Sequence, residues 1–187
     1  VGSASALAED DGHLKPADKL ELSRAIVDEA ERMSNLVNNI LDMAKLDSGI
    51  LDLNKQWHPL EEIIGTVLTR LQKQLSGRPV KVKLPSGIPM VLVDAVMIEQ
   101  VLINLLENAI RYTPAKTVLE INAEFSKDQV EISIADYGPG IPKGMEERLF
   151  EKFYQAHQEA PQSGVGLGLA ICRAIVEVHG GRIFAHN

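Results

Sequence analysis

The sequence predicts an α+β fold in which one long helix precedes a two-layer α/β sandwich, that is, a mixed sheet packed on helices. Two observations predict it. Apolar side chains recur at helical spacing over residues 17–46, and the later segments alternate between helical and strand periodicity, with a hairpin among them. The chain has 187 residues, of which 45% are hydrophobic, so it can bury the core of one or two domains.

The first long helix, predicted at residues 17–46, carries an unbroken a/d heptad series. The series consists of Ile26, Ala30, Met33, Val37, Ile40 and Ala44. A single helix cannot bury so wide an apolar face, so we expect it to join a four-helix bundle in a homodimer. Pro16 suits the first turn of this helix, and Gly49 marks its end.

The segments that follow predict the sandwich. In chain order we expect strand 51–57, helix 59–75, strands 80–84 and 88–93, a helix from 95 to the Thr113-Pro114 pair, strands 118–125 and 129–135, helix 167–179 and a last strand from Arg182. Asp94 is the predicted N-cap of the third helix, because its carboxylate can accept from a free backbone N–H. The short spacer 126–128 predicts an antiparallel hairpin.

Composition and charge exclude some classes of function. The net charge of −7 and the pI near 5.3 argue against a general nucleic-acid binder, whose surface is normally basic. No apolar run reaches the roughly 20 residues that span a bilayer. The single cysteine, Cys172, lies in an apolar helical run, which favours a reduced core thiol and a cytoplasmic location. We expect the chain to be a fragment, because it stops as its last predicted strand begins.

Polar residues on the third predicted helix indicate a site. At about 100° per residue, Asn104, Asn108 and Arg111 share one narrow stripe of a helix that is otherwise apolar. Asparagine is a poor helix former, and a solvated stripe is normally built from Glu, Lys and Gln. The stripe therefore indicates a lined cavity, and the alternative is a solvent face that happens to carry asparagine.

Two glycine clusters follow. Asp136 ends a strand just before Gly138 and Gly140, and its acceptor-only carboxylate fits an exocyclic amine such as that of adenine. The alternative is an ordinary turn with a capping aspartate. The second cluster, Gly164, Gly166 and Gly168, opens a helix whose free N–H groups and dipole suit phosphate. That spacing matches neither the Rossmann nor the P-loop pattern, and the alternative is a flexible hinge.

The phosphate-side glycine cluster contains no basic side chain, so charge neutralisation must come from elsewhere. The amide oxygen of Asn108 is a hard neutral ligand suited to Mg²⁺. Arg111, one turn further on, can make a forked contact with a phosphate. Tyr112 can pack on a base or ribose, and an ordinary half-buried aromatic residue is an equally good interpretation of it.

Taken together, these motifs resemble a known family. Asn-x-x-x-Asn-x-x-Arg-Tyr from Asn104, Asp-x-Gly-x-Gly from Asp136, Phe-Glu-Lys-Phe-Tyr from Phe150 and Gly-x-Gly-Leu-Gly-Leu from Gly164 are similar to the N, G1, F and G2 boxes of sensor histidine kinases. These kinases belong to the GHKL ATPase superfamily, which has the Bergerat fold. The resemblance covers nearly the whole chain, since residues 32–49 look like the second helix of a dimerisation and histidine-phosphotransfer domain. Within the family, the potassium-responsive kinases look most similar.

The resemblance implies domains and roles. It implies a partial phosphotransfer domain at 1–50 and an ATP-binding catalytic domain at 51–187 that lacks its final strand. It implies Asn108 as the Mg²⁺ ligand, Asp136 as the adenine-binding residue, and Asn104 in the position where hydrolysing relatives carry a glutamate base. An amide cannot take a proton from water, which agrees with a kinase. The remaining implied nucleotide contacts are Arg111, Tyr112, Gly138, Gly140, Ile141, Lys152, Phe153, Gly164, Gly166, Leu167, Gly168 and Leu169.

Two departures from the family pattern matter. Gln155 stands where many members carry an arginine, so Lys152 or Arg148 would have to make that phosphate contact. The phosphoacceptor box His-Glu-x-x-x-Pro is absent, and the segment from His13 to Pro16 is a poor imitation of it. We therefore expect the fragment to bind ATP and Mg²⁺ without phosphorylating itself.

The resemblance also implies partners. The phosphoryl group would pass to a histidine outside this chain, on the phosphotransfer helix of the same parent protein or of a dimer mate. It would then pass to a response regulator in a two-component phosphorelay. The parent protein would be membrane-anchored with this module in the cytoplasm, and residues 141–163 would form a nucleotide lid. The alternatives are a GHKL ATPase that couples hydrolysis to conformational work and a degenerate, non-enzymatic interaction module.

Overall fold

The computed structural model describes residues 2–8, 10, 14–47, 53–127, 129–155 and 166–187. Its elements are α1 (Gly2–Ala8), α2 (Pro16–Asp47), β1 (Gln56–His58), α3 (Leu60–Arg70), β2 (Val80–Lys83), β3 (Val91–Val93), α4 (Ala95–Tyr112), β4 (Leu119–Ser126), β5 (Gln129–Ala135) and α5 (Gly168–Val178). A 3-10 turn spans Arg148–Phe150. The chain divides into two compact units, Val1–Ala44 and Lys45–Asn187.

The first unit is built around α2, which extends the predicted helix by one residue at each end. The carboxylate of Asp10 accepts a hydrogen bond from the Leu14 N–H at 2.9 Å and pairs with Lys19 at 2.5 Å, so it holds the chain at the start of this helix. Several apolar side chains of α2 remain 48–59% exposed: Val27, Met33, Val37, Ile40 and Leu41. The predicted apolar face is therefore uncovered within this unit. The predicted stop at Gly49 lies outside the described residues.

The second unit contains two small sheets. In the three-stranded sheet, β2 runs parallel to β4 and β4 runs antiparallel to β5, with Ile121 opposite Ile134. The pair β4–β5 is the predicted hairpin. Because side chains alternate between the two faces of a strand, Leu119, Ile121 and Ala123 of β4 are all buried on one face. The second sheet is the antiparallel pair β1–β3.

Helices α3 and α4 cover the buried face of the three-stranded sheet. Apolar residues recur every three or four positions on both helices and form one core cluster with β4, to which α3 contributes Leu60, Ile63, Ile64 and Val67. Leu106 of α4 is fully buried in it. Helix α5 packs on α4, where the Cys172 thiol donates to the Val101 carbonyl at 3.7 Å. The predicted α+β class, with a mixed sheet packed on helices, and the buried core thiol are confirmed.

Some predicted boundaries were wrong. The strand predicted at 51–57 is formed only from Gln56 to His58, and residues 51 and 52 lie outside the described part of the chain. Its partner β3 has only three residues, so the ladder cannot extend further. Helix α3 ends at Arg70 rather than near Leu75, although Leu71 and Leu75 remain buried in the turns that follow.

The strand predicted from Arg182 is also wrong for the described residues. A strand requires backbone hydrogen bonds to a neighbouring strand, and none of the described strands pairs with residues 182–187. The segment is held instead by the side chain of Asn187. No helix in the described ranges is long and apolar enough to cross a membrane.

Candidate functional site

Helix α4 carries the predicted polar stripe. The Asp94 carboxylate accepts from the Met97 N–H at 3.3 Å, which confirms the predicted N-cap, and the helix stops at Thr113 because Pro114 disfavours helical geometry before it. Asn104 and Asn108 are half-buried, whereas Arg111 is exposed and makes no hydrogen bond or ion pair with the described residues. The polar stripe thus runs from the half-buried middle of α4 to its solvent-exposed C-terminal end.

Asn104 has an unsatisfied buried donor. Its Nδ2 is out of contact with solvent and has no hydrogen-bond partner among the described residues. A buried donor without a partner costs about 1–3 kcal/mol. Burial raises the pKa of the neighbouring Cys172 thiol to about 12, whereas a weak interaction with the Asn104 side chain, which falls short of a regular hydrogen bond, lowers it. The Cys172 thiol therefore stays protonated at neutral pH. A hydrogen-bond acceptor on a ligand would give the Asn104 amide the partner that it lacks.

The first turn of α5 lies beside Asn104. A Cβ added at Gly168 would be 3.9 Å from the Asn104 Cγ, so the start of α5 approaches the middle of α4. The residue before this helix, Leu167, is buried and makes no side-chain capping bond, and the first turn carries no acidic side chain. The N–H groups of this turn and the positive end of the helix dipole are therefore available to an anion. Leu169 is half-buried next to them.

Asp136 and Gly138 form a tight turn against the end of α4. The Asp136 Oδ1 accepts from the Gly138 N–H at 2.9 Å. A Cβ at Gly138 would lie 3.0 Å from the Thr113 Cγ2 and 3.1 Å from the Tyr112 carbonyl oxygen, closer than an ordinary contact. A side chain at this position would therefore force Asp136, Thr113 or the end of α4 to shift. Asp136 is exposed, and the Tyr112 side chain is 36% exposed.

Gly140 and Ile141 are held by Asn187, a residue that the sequence did not single out. The Asn187 Oδ1 accepts from the Ile141 N–H at 2.7 Å, and its Nδ2 donates to the Ile141 carbonyl at 2.9 Å. Gly140 has a φ of +75°, and a Cβ there would lie 2.8 Å from the Asn187 Oδ1. No local pattern could have predicted this pair, because its members are 46 residues apart in the chain.

The described part of the second glycine cluster is tied to the Phe153 segment. Gly166 has a φ of +73°, and its carbonyl accepts from the Phe153 N–H at 2.8 Å. A Cβ at Gly166 would lie 2.7 Å from both the Phe153 carbonyl carbon and the Tyr154 oxygen. Phe153 itself has a φ of 65° and a side chain that is 67% exposed. Gly164 lies outside the described residues.

Two basic residues lie near the Phe153 segment, Arg148 and Lys152. Arg148 stacks on the Tyr154 ring at 4.7 Å and pairs with Glu151 at 3.5 Å, so its guanidinium is already engaged. The side chain of Lys152 is exposed. Across the described ranges, no three His, Cys, Asp or Glu side chains converge as metal ligands.

Two pairs of predicted site residues meet along α4, where Asn104 lies beside Gly168 and Tyr112 beside Gly138, and two lie in loops, where Gly166 meets Phe153 and Ile141 follows Gly140. Residues 93–187 match the family described as Histidine kinase-, DNA gyrase B-, and HSP90-like ATPase, and residues 1–49 match the His Kinase A (phospho-acceptor) domain. The first match covers just over half of the chain. The chain belongs to the family of histidine kinase-, DNA gyrase B- and HSP90-like ATPases.

Individual relatives narrow this assignment. Sensor protein KdpD of Escherichia coli (strain K12) is 46% identical over 154 residues, which are 82% of this chain and 17% of that protein. The chain spans about a fifth of the length of the KdpD relatives it matches. The predicted resemblance to sensor histidine kinases, and within them to this potassium-responsive group, is confirmed.

Solved structures agree with the family. Acinetobacter baumannii histidine kinase AdeS has a TM-score of 0.73 and 30% identity, covering 94% of this chain and 80% of that chain. Histidine kinase ThkA in complex with response regulator protein TrrA has a TM-score of 0.75 and 26% identity, covering 99% of this chain and 52% of that chain. The fold is therefore that of the histidine kinases, and use of ATP is the property of its ATPase family.

Proposed function

We propose that the chain is the ATP-binding catalytic module of a sensor histidine kinase, which transfers the γ-phosphoryl group to a histidine outside the chain. The observation that carries this proposal is the pair of approaches along α4. The start of α5 lies at Asn104 and the Asp136–Gly138 turn lies at Tyr112, eight residues or about 12 Å further along the helix. One end suits an anion and the other suits a base, as an extended nucleoside triphosphate requires.

At the base end, the Asp136 carboxylate accepts from the exocyclic amine of adenine. Its Oδ1 already accepts from the Gly138 N–H, so the carboxylate is oriented before the nucleotide arrives. Gly138, Gly140 and Ile141 present backbone to the flat base, because a side chain at Gly138 would have to displace its neighbours. Tyr112 packs on the base or ribose.

At the phosphate end, the unsatisfied Nδ2 of Asn104 and the uncapped first turn of α5 donate to phosphate oxygens. Gly166, Leu167, Gly168 and Leu169 supply the backbone of this wall, with Gly164 before them. Arg111 adds a forked contact. Lys152 and Phe153 complete the contacts from the opposite side of the nucleotide.

Magnesium fits this donor set. The amide oxygen of Asn108, one turn beyond Asn104, would hold Mg²⁺ together with phosphate and water oxygens. When bound, the ion neutralises charge that develops on the phosphates. Asn104 carries an amide rather than a carboxylate, so it orients phosphate without activating water, and transfer is favoured over hydrolysis.

We propose the following domains and partners. Residues 1–50 form a partial dimerisation and phosphotransfer domain without its acceptor box, and residues 51–187 form the catalytic domain, with 141–163 as its lid. The histidine lies outside this chain, on a phosphotransfer helix of the same parent protein or of its dimer mate. A response regulator then takes the phosphoryl group from that histidine. ATP and the protonated thiol of Cys172 suit the reducing cytoplasm, and the parent protein is membrane-anchored.

Calorimetry with a non-hydrolysable ATP analogue and Mg²⁺ tests the proposal. We expect one binding site, at least about tenfold weaker in Asn108→Ala when Mg²⁺ is present. Asn122→Ala, an asparagine substitution on β4, is the matched control and should bind as the wild type does. Absence of binding in the wild type would favour the interaction module and refute the kinase.

Radiolabelled ATP tests the reaction class. We expect the chain not to label itself, and to label an added phosphotransfer domain that carries its histidine. Label on a histidine of this chain would contradict the missing-acceptor argument. Rapid release of inorganic phosphate without transfer would instead establish an ATPase.

A further inference from the structure

Arg78 is buried although neither the sequence patterns nor the proposed nucleotide contacts use it. It lies in the turn after α3, directly after Gly77, whose φ is +78°. Its residue surface is only 8% exposed, and Thr113, at 7%, is the other buried polar residue in the described ranges. A buried guanidinium is costly unless its donors are satisfied. Its hydrogen-bond partners therefore indicate what it does.

Among the described residues, all of the hydrogen-bond partners of the Arg78 guanidinium belong to the end of α4 and the residues just after it. Its Nη2 donates to the Thr113 carbonyl at 3.1 Å and to the Ile110 carbonyl at 3.4 Å. Its Nη1 donates to the Thr117 carbonyl at 3.3 Å and also to the Thr113 hydroxyl. These acceptors are neutral, and no carboxylate of the described residues pairs with the guanidinium. The forked guanidinium thus donates to backbone carbonyl groups at and just after the end of α4, where a helix leaves carbonyls without partners. It also lies at the negative end of the helix dipole, which favours a cation.

The side chain of Thr113 links this cap to the base end of the site. Its hydroxyl donates to the Ala109 carbonyl at 2.5 Å, so the side chain is held from both sides. Its methyl group and the Tyr112 carbonyl form the wall on which Gly138 packs, and a Cβ at Gly138 would lie 3.0 and 3.1 Å from them. Gly138 in turn donates to Asp136. Arg78 is therefore connected to Asp136 through a short series of packed, hydrogen-bonded groups.

We propose that Arg78 is a positioning residue for nucleotide binding: by holding Thr113 and the last turn of α4, it sets where Gly138 and the Asp136 carboxylate stand. This inference rests on the proposed function, because it concerns the base end of that same site. The contacts of its guanidinium do not reach Asn104 or the start of α5, so Arg111 is the one proposed phosphate contact in the turn that it holds. Loss of Arg78 should therefore weaken ATP and ADP by the same factor.

A residue that only stabilises the fold would behave differently from a positioning residue. Its loss would lower the free energy of unfolding but leave the dissociation constant of the folded protein unchanged. Nucleotide affinity, measured well below the unfolding temperature, separates the two roles. Hydrogen exchange at the Gly138 amide gives a local readout, since that N–H is protected by its bond to Asp136.

The experiment compares Arg78→Met and Arg78→Lys with Arg70→Met. Arg70, the last residue of α3, pairs with Glu99 of α4 at 3.1 Å with a 57% exposed side chain, so its loss removes a cation that contacts α4 away from the end of that helix. We expect Arg78→Met to weaken ATP and ADP alike by about tenfold and to speed exchange of the Gly138 amide. Arg78→Lys should be intermediate, because an ammonium cannot make the fork, and Arg70→Met should match the wild type.

Unchanged nucleotide affinity in folded Arg78→Met would overturn the inference. If that variant does not fold, Thr113→Val replaces it, since valine keeps a methyl group towards Gly138 and removes the hydroxyl that Arg78 contacts. A loss of about threefold is then expected, and no loss overturns the inference. If the wild type itself fails to bind ATP, the proposed function fails instead. Gly138 exchange in Arg78→Met then decides the positioning role, with unchanged exchange overturning it.

Discussion

At the scale of single residues, the two ends of the candidate site satisfy their polar atoms differently. Asp136 is oriented by a bond within its own turn, whereas the Asn104 Nδ2 is buried without a partner in the described part of the chain. The first arrangement reduces the ordering needed at the base end when a ligand binds. The second arrangement leaves the Asn104 amide with a buried donor that lacks a partner. A phosphate oxygen that accepted from this donor would offset the cost of its burial.

Replacing Asp136 with asparagine tests the base end. The amide oxygen can still accept from the Gly138 N–H, so the turn should persist while the charged acceptor is lost. We expect adenine-nucleotide affinity to fall by about 1.5–3 kcal/mol, measured by calorimetry. Glu131→Gln, an exposed acidic residue on the same strand, is the control and should have no effect. An unchanged dissociation constant in Asp136→Asn would remove this residue from the site.

The buried thiol predicts a pH dependence of stability. Burial raises the pKa of Cys172 from 9.0 to about 12, so the protonated thiol favours the folded state. The contribution is complete below pH 9 and is lost as pH rises towards 12. Relative to Cys172→Ala, which removes the titration, the wild type should lose on the order of 1 kcal/mol of unfolding free energy between pH 7 and pH 10, measured with urea. Parallel stability curves for the two proteins would contradict this.

At the scale of elements, the contact between Gly166 and the Phe153 segment joins the phosphate-side loop to the base of the proposed lid. Both residues have positive φ, which costs a non-glycine residue roughly 1–2 kcal/mol. Phe153 keeps this conformation while its N–H bonds to Gly166. Only Phe153 is strained, because glycine adopts positive φ freely, but the hydrogen bond couples the two positions and a change at one should displace the other.

Gly166→Ala should disturb this contact. The new methyl group would meet backbone atoms of Phe153 and Tyr154, and we expect ATP affinity to fall by at least about tenfold. Two controls separate the causes. Gly144→Ala has a φ of +81° and open space around it, so it adds strain without collision, and Gly65→Ala lies in α3 and should stabilise by about 0.5–1 kcal/mol. Wild-type affinity in Gly166→Ala would show that the contact does not shape the site.

At the scale of the whole molecule, the open question is what covers the apolar side of α2. Its side chains are about half exposed within their own unit, and the first 49 residues match a phospho-acceptor domain. A second copy of the same helix is the occupant that we propose, since a heptad series of this length suits a bundle.

Val37→Glu tests this assembly. A charge buried without a partner in the interface should weaken dimerisation by at least about tenfold, measured by sedimentation across a concentration series. Asn38→Glu adds the same charge one position off the heptad series and should leave the dimer intact. Equal masses for the two variants at every concentration would contradict the proposed interface.

Local patterns predicted much of the catalytic unit. The N-cap at Asp94, the end of α4 before Pro114 and the β4–β5 hairpin follow from capping and periodicity, which act over a few residues. Local patterns did not predict the short lengths of β1 and β3. They also did not predict that the described residues after Arg182 pair with no strand. A strand exists only where a partner lies beside it, and the partner is chosen by the whole fold.

The sequence by itself determined the family, the kinds of residue at each end of the site and the apolar side of α2, because these depend on residue identity and spacing. Only the tertiary structure decided that Asn104 meets the start of α5, that Asn187 holds Ile141, and that Arg78 caps the helix end against which Gly138 packs. The physical reason is that hydrogen bonds and close packing join groups tens of residues apart, and no local pattern encodes which of them meet.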